Sequence, residues 1–272
     1  EQGMKAVVVL LCLAVAACSS TGERQSLGPD LAHAAGWNWE TLDGGSFRLA
    51  SAVAPMKPSA KLVVYLEGDG FAYVRPSQPS QNPTPTDPVA LRLALAAPTR
   101  DANLAWLGRP CQYIDSSRCD SAYWTGWRYA PEVLDSMNMS IDQIKSRSHA
   151  NQIVLVGYSG GGAIAVLLAA RRGDVKGVVT VAANLDLGYW TRRDGLAPLA
   201  GSLDPADIAP SLGAVPQVHF TGGRDKTVGT DVVRSFMARL PSGTPARLIE
   251  ISDYTHACCW ARDWPRLAAE ME

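Results

Sequence analysis

Short apolar runs and longer mixed stretches alternate along most of this chain. Residues 61–66 (KLVVYL) form a compact run of β-formers closed by Gly68-Asp69-Gly70, which predicts a buried strand with a sharp turn after it. Residues 152–156 (QIVLV), 175–182, 217–221 and 246–251 read the same way, and 103–107 fits one more strand. Helices are predicted over about 89–97, 131–147, 160–172, 227–240 and 260–270. Pro131 suits the first turn of the second, and Ala163, Ala165 and Ala169 give the third a small-residue face. Strands alternating with helices imply an α/β domain built on a mostly parallel sheet with helices on both faces. Three stretches break the rhythm. Residues 71–88, rich in Pro, Ser, Gln and Asn, predict a long loop of the kind that is usually functional. Residues 108–129 look irregular, and 184–215 is polar, with short helices that would form a small cap region.

The N-terminus follows a different pattern. Met4-Lys5 precedes an apolar run over 6–17, too short to span a bilayer and suited to the core of a signal peptide. The run ends Val15-Ala16-Ala17-Cys18-Ser19-Ser20, which resembles a bacterial lipobox with Cys18 as the lipidated residue. The expected organisation is a signal peptide over 1–18, a small polar tether over 19–30 and one domain over 31–272.

Composition narrows the function classes. Hydrophobic residues make up 47% and charged residues 19%, as in a globular protein with a sizeable core. A net charge of −1 without a long basic stretch gives no footprint for nucleic acid. Beyond Cys12 and Cys18 the cysteines are Cys111, Cys119, Cys258 and Cys259, with no C-x-x-C pair and no close histidine pair, so no metal site is expected. Cys111 and Cys119 flank a short polar loop and are expected to pair in an oxidising compartment. Cys258 and Cys259 are adjacent; a trans Cα–Cα step of about 3.8 Å lies below the usual disulfide range, which argues against a bridge between them.

Candidate chemistry centres on Gly157-Tyr158-Ser159-Gly160-Gly161. This G-x-S-x-G follows a buried strand and opens a helix, the context a nucleophile elbow requires. A serine hydroxyl needs a base. Of His33, His149, His219 and His256, only His256 follows the last predicted strand, where the base belongs in the order Ser, acid, His. Among the acids between them, Asp225 in Thr221-Gly222-Gly223-Arg224-Asp225 ends a strand on a glycine turn, where a sheet aims a carboxylate rigidly. A helix cap is its competing role, and Asp186 is the runner-up acid. An oxyanion hole would use the backbone N–H of Gly160 and a second donor from Asp69 or Gly70, with the Asp69 side chain pointing away from the developing charge.

On Leu66-Glu67-Gly68-Asp69-Gly70, Gly157-Tyr158-Ser159-Gly160-Gly161, Gly222-Gly223-Arg224-Asp225 and His256, the chain resembles α/β-hydrolase-fold serine hydrolases. Specifically, it resembles the lipoprotein hydrolases of Gram-negative bacteria, from roughly Lys61 to the C-terminus. Many such proteins carry His-Gly where Glu67-Gly68 stands here. The resemblance implies acyl transfer without a cofactor, a small-molecule ester substrate and a lipid anchor in the cell envelope, with Ser19 favouring the outer membrane. Short or medium acyl chains are expected, since neither 71–88 nor 184–215 offers a broad apolar surface. A peptidase or acyltransferase on the same residues is an alternative. So is a silent lipoprotein that binds a partner through aromatic loops.

Overall fold

The computed structural model describes residues 20–98 and 101–271; Cys18 and the signal-peptide expectation lie outside them. Ten strands and eight α-helices are described. In chain order they are α1 (Thr21–Ala34), β1 (Asn38–Asp43), β2 (Arg48–Val53), β3 (Lys61–Leu66), β4 (Tyr73–Arg75), β5 (Gln78–Pro79), α2 (Val89–Ala96), β6 (Asn103–Leu107), α3 (Pro131–Ser148), β7 (Gln152–Tyr158), α4 (Gly160–Ala169), β8 (Val175–Val181), α5 (Leu187–Asp194), α6 (Pro205–Ile208), β9 (Gln217–Gly222), α7 (Thr230–Met237), β10 (Ala246–Ile251) and α8 (Trp260–Leu267). Eight strands form one sheet in the order β1-β2-β6-β3-β7-β8-β9-β10. β2 runs antiparallel to both its neighbours, and every pairing from β6 to β10 is parallel. This is the α/β-hydrolase architecture.

The period-2 pattern explains how the sheet is covered. Leu62, Val64 and Leu66 of β3 and Ile153 and Leu155 of β7 face one layer, with Leu134, Met137 and Ile141 of α3 and residues 163–169 of α4. Val63 and Tyr65 of β3, Trp106 of β6 and Val156 of β7 face the other, with Leu91 and Leu93 of α2 and Trp260 and Trp264 of α8. Each fully buried aliphatic side chain of this kind contributes about 1.5–3 kcal/mol, so these two layers supply most of the folding drive. The consequence for function is rigidity: every turn after a parallel strand opens on the same edge of the sheet.

Besides the short antiparallel pair β4–β5 within 71–88, which was read as a loop, two larger parts of the chain depart from the sequence reading. Residues 21–30, read as a tether, belong to α1. Ser20 and Glu23 form a reciprocal capping box, Glu23 N donating to Ser20 Oγ (3.2 Å) and Ser20 N to Glu23 Oε2 (2.5 Å). Arg24, buried, donates from Nε to Thr84 O (3.1 Å) and lies 4.7 Å over the Phe71 ring, fastening α1 to the 71–88 loop. Small polar composition suggested freedom; the S-x-x-E spacing was the contrary signal. The second departure is the hairpin β1–β2, which extends the sheet beyond β6.

Candidate active site

β7 ends at Tyr158, and the chain turns into α4 through Ser159 at φ 51°, ψ −121°. A non-glycine residue there costs on the order of 1–3 kcal/mol and persists only where its surroundings hold it. They do so by close backbone approach. Ser159 N donates to Val181 O (2.9 Å), and Gly162 N to Ser159 O (3.0 Å). A Cβ at residue 157 would stand 2.2 Å from Gly161 O, and one at 161 would stand 2.2 Å from Leu66 O. Only glycine fits these positions, which is why a serine between glycines marks this turn. The serine is thereby lifted to the strand-end edge of the sheet, at the N-terminus of α4.

His256 and Asp225 reach that point from the ends of β10 and β9. His256 Nε2 lies 3.0 Å from Ser159 Oγ, and its Nδ1 lies 2.8 Å from Asp225 Oδ2. The two loops pack through glycine: a Cβ on Gly222 would stand 2.4 Å from the Tyr254 carbonyl oxygen in the facing loop. The His256 carbonyl accepts from Trp260 Nε1 (2.9 Å) and Tyr158 OH (3.2 Å), so the residue inside the serine motif also steadies the histidine backbone. Asp225 divides its oxygens. Oδ1 accepts from the Thr227 and Val228 N–H groups (2.8 and 3.0 Å), leaving Oδ2 for the imidazole. The capping and imidazole-binding roles weighed for Asp225 thus coexist. Burial acts to raise its carboxyl, but the His256 hydrogen bond and charge outweigh it and hold the pKa below the usual range.

The runner-up acid is elsewhere. Asp186, fully buried, caps α5 through Tyr189 N (2.8 Å) and binds Ser235 Oγ (2.6 Å) and Arg239 Nη2 (3.2 Å). His219 is a core residue: its Nδ1 lies 2.8 Å from Thr180 Oγ1, and burial pushes its pKa down to about 3. His33 lies in the last turn of α1, and His149 terminates α3 in the left-handed region.

The turn after β3 meets the elbow as expected, with one difference. Gly70 adopts φ +70°, and a Cβ there would stand 2.0 Å from Pro83 O. The Asp69 carboxylate, expected to point away, lies against the residue after Ser159: its Oδ1 is 2.0 Å from where a Cβ on Gly160 would stand. It is not left bare. Arg128 Nη1 donates to Oδ2 (2.6 Å), Arg109 Nη1 to Oδ1 (3.2 Å), and Tyr129 OH reaches both oxygens (3.2 and 3.3 Å). Burial would raise this carboxyl, but Arg128 and Arg109 outweigh it and hold it low. Behind the turn, buried Glu67 accepts from Gly68 N, Ala90 N, Leu91 N and Trp106 Nε1. Burial still pushes its pKa up to about 7. Glu67 therefore ties the turn to the start of α2.

Arg109, Arg128 and Tyr129 were missed by sequence reasoning. Arg109 lies two residues past β6, and that strand-end position was the available signal; Arg128 and Tyr129 sit in irregular chain with none. Cys111 and Cys119 are disulfide-bonded within this segment, Cα atoms 5.6 Å apart. Cys258 and Cys259 are also joined, contrary to expectation; their Cα atoms are 3.1 Å apart across a cis peptide, whereas the expected spacing was that of a trans bond.

Known proteins share this fold. Solved structures similar to the chain include an α/β serine hydrolase without lid from Xanthomonas campestris, with TM-score 0.57 and 14% identity over 86% of this chain and 91% of that one. A Pyrococcus furiosus esterase gives 0.64 and 11% over 88% and 92%. Est1E from Butyrivibrio proteoclasticus gives 0.60 and 13% over 86% and 98%. At such identities the likeness shows the fold. No curated protein matches the chain. The model of the dienelactone hydrolase family matches residues 113–262.

Proposed function

The chain belongs to the dienelactone hydrolase family, and from that premise we propose that it cleaves carboxylic esters of small molecules through Ser159, His256 and Asp225. The observation that carries this reading is the unbroken path from Asp225 Oδ2 to His256 Nδ1 (2.8 Å) and from His256 Nε2 to Ser159 Oγ (3.0 Å). His256 takes the proton of Ser159 as Oγ attacks the ester carbonyl, then returns it to the leaving alcohol. Asp225, held ionised, keeps Nδ1 protonated and Nε2 free to act as base. Water, activated by the same imidazole, releases the acid and restores the serine. The N–H of Gly160, with Gly70 or Asp69 backbone opposite, binds the oxyanion; one such donor is commonly worth about 3–4 kcal/mol in the transition state.

The same reading takes the acyl chains to be short or medium. The segment 184–215 is folded into α5, α6 and a 3-10 turn. It is pinned to the 126–129 strip by Leu203 N on Tyr129 O (3.1 Å) and Ser202 Oγ on Gly126 O (2.9 Å). The cap is thus a fixed wall. In the same proposal Cys18 carries a lipid in the cell envelope. α1 begins three residues later, so about 10 Å of chain would hold the domain at the membrane surface.

A fluorophosphonate probe should label Ser159 alone, and Ser159→Ala should lose labelling together with hydrolysis of p-nitrophenyl butyrate. Ester turnover that survives in Ser159→Ala would refute the mechanism. Cys18→Ala should release the protein from membranes; retention after a high-salt wash would refute the anchor.

A further inference from the structure

Beside the nucleophile stands a charged cluster that the acyl-transfer steps do not use. Asp69 Oδ1 lies 2.0 Å from where a Cβ on Gly160 would stand, and Tyr129 OH lies 2.7 Å from the same point. The carboxylate therefore presses on the residue whose N–H faces the developing oxyanion. An unmatched negative charge there would oppose the reaction, since charges a few ångströms apart in a partly dry site interact strongly. The structure matches it twice. Arg128 and Arg109 both bind Asp69, with side chains only 8% and 4% exposed. Two guanidiniums and one carboxylate leave a net charge of +1 against α4's first residue.

The cluster is held from several directions. Arg128 Nε donates to Thr125 O (2.6 Å), and Arg109 Nη2 to Arg128 O. Arg109 N donates to Gln112 Oε1 (3.1 Å), and Gln112 Nε2 to Gly68 O (2.9 Å), which joins the arginine segment to the turn bearing Asp69. The neighbouring Cys111–Cys119 bond closes the same segment. Buried ion pairs gain little stability after desolvation, so stability alone is a weak reason for three charges here. Their position gives a better one.

We propose that Asp69, Arg109 and Arg128 form a positioning set for acyl transfer with a net charge of +1. The guanidiniums cancel a carboxylate that fixes the turn after β3 against Gly160, and the surplus positive charge favours the oxyanion. Arg128 then acts through Asp69 and not by touching substrate. The proposal rests on the acyl-transfer reading above.

A double-mutant cycle on the full chain tests it, with p-nitrophenyl butyrate turnover and the rate of fluorophosphonate labelling as readouts. Arg128→Gln takes the local charge from +1 to 0 and should lower kcat about 10- to 100-fold, with KM changed less than about threefold. Adding Asp69→Asn restores +1 and should recover at least about fivefold of that loss. Arg128→Lys, which keeps the charge, should lose less than Arg128→Gln. If Arg128→Gln does not fold, the same cycle is run with Arg109→Gln, and the same rescue is expected. A double variant slower than Arg128→Gln, or a KM increase at unchanged kcat, overturns the proposal while wild-type turnover leaves the acyl-transfer reading intact. A wild type that neither labels at Ser159 nor turns over any ester overturns both.

Discussion

Replacing Gly161 by alanine tests how tightly the elbow is built into the sheet. A Cβ at this position would stand 2.2 Å from Leu66 O and 2.6 Å from Glu67 O. Ordinary C···O contacts are about 3.3 Å, so the start of α4 and the end of β3 must separate by about 1 Å. Neither neighbour is a side chain that can rotate away. Both belong to backbone at the end of β3, which pairs on both edges with β6 and β7. Overpacking of this sort costs roughly 1–3 kcal/mol, and Gly161→Ala should lie at the upper end, read as a shift in the urea midpoint with unchanged slope. The larger effect should be on rate. The same separation moves the Gly68–Gly70 turn away from Gly160, and a misplacement of about 1 Å can cost on the order of 100-fold. The assay is kcat for p-nitrophenyl butyrate beside equilibrium unfolding on one preparation. A variant with kcat within threefold of wild type and a stability loss under about 0.5 kcal/mol would refute the claim that backbone contact at Gly161 sets the geometry.

Asp225→Asn should lower kcat by about 10²–10⁴-fold with little loss of stability, because it disturbs the imidazole tautomer. Asp186→Asn should do the reverse, since Asp186 binds Ser235, Arg239 and Tyr189 N and not His256; a kcat loss from Asp186→Asn alone would exchange the assignments. Burial acts to raise the Asp174 carboxyl, yet Arg172 and Lys145 outweigh it and lower its pKa from 3.8 to about 2. A depressed carboxyl contributes stability above its unfolded value and loses it as pH falls through the folded one. The stability gap between wild type and Asp174→Asn, read by thermal unfolding, should therefore be steady near neutrality and shrink between 3.8 and about 2.

The sequence by itself determined the layered α/β plan and the strand-to-helix turn at Ser159, because both follow from local rules. KLVVYL and QIVLV are too short and too β-branched for anything but buried strands, and they became β3 and β7. A serine between glycines at a strand–helix junction has few other uses. Chain order singled out His256, and a place after a strand offered both Asp225 and Asp186. Tertiary structure decided everything that depends on chain segments far apart in sequence. The tether reading failed because the helical state of residues 21–30 is fixed partly by Arg24 meeting Thr84 and Phe71. The choice between Asp225 and Asp186 had no local answer: both follow strands and both cap backbone N–H groups. Only the meeting of the β9 and β10 loops puts one of them on His256. The same holds for Asp69, which the sequence offered as a backbone donor with its carboxylate turned away. Arg109 and Arg128, 40 and 59 residues further along the chain, are what allow a carboxylate to lie against Gly160, and no pattern near Asp69 announces them. Electrostatic balance is a property of positions in space, whereas strand, helix and elbow are properties of neighbours in sequence.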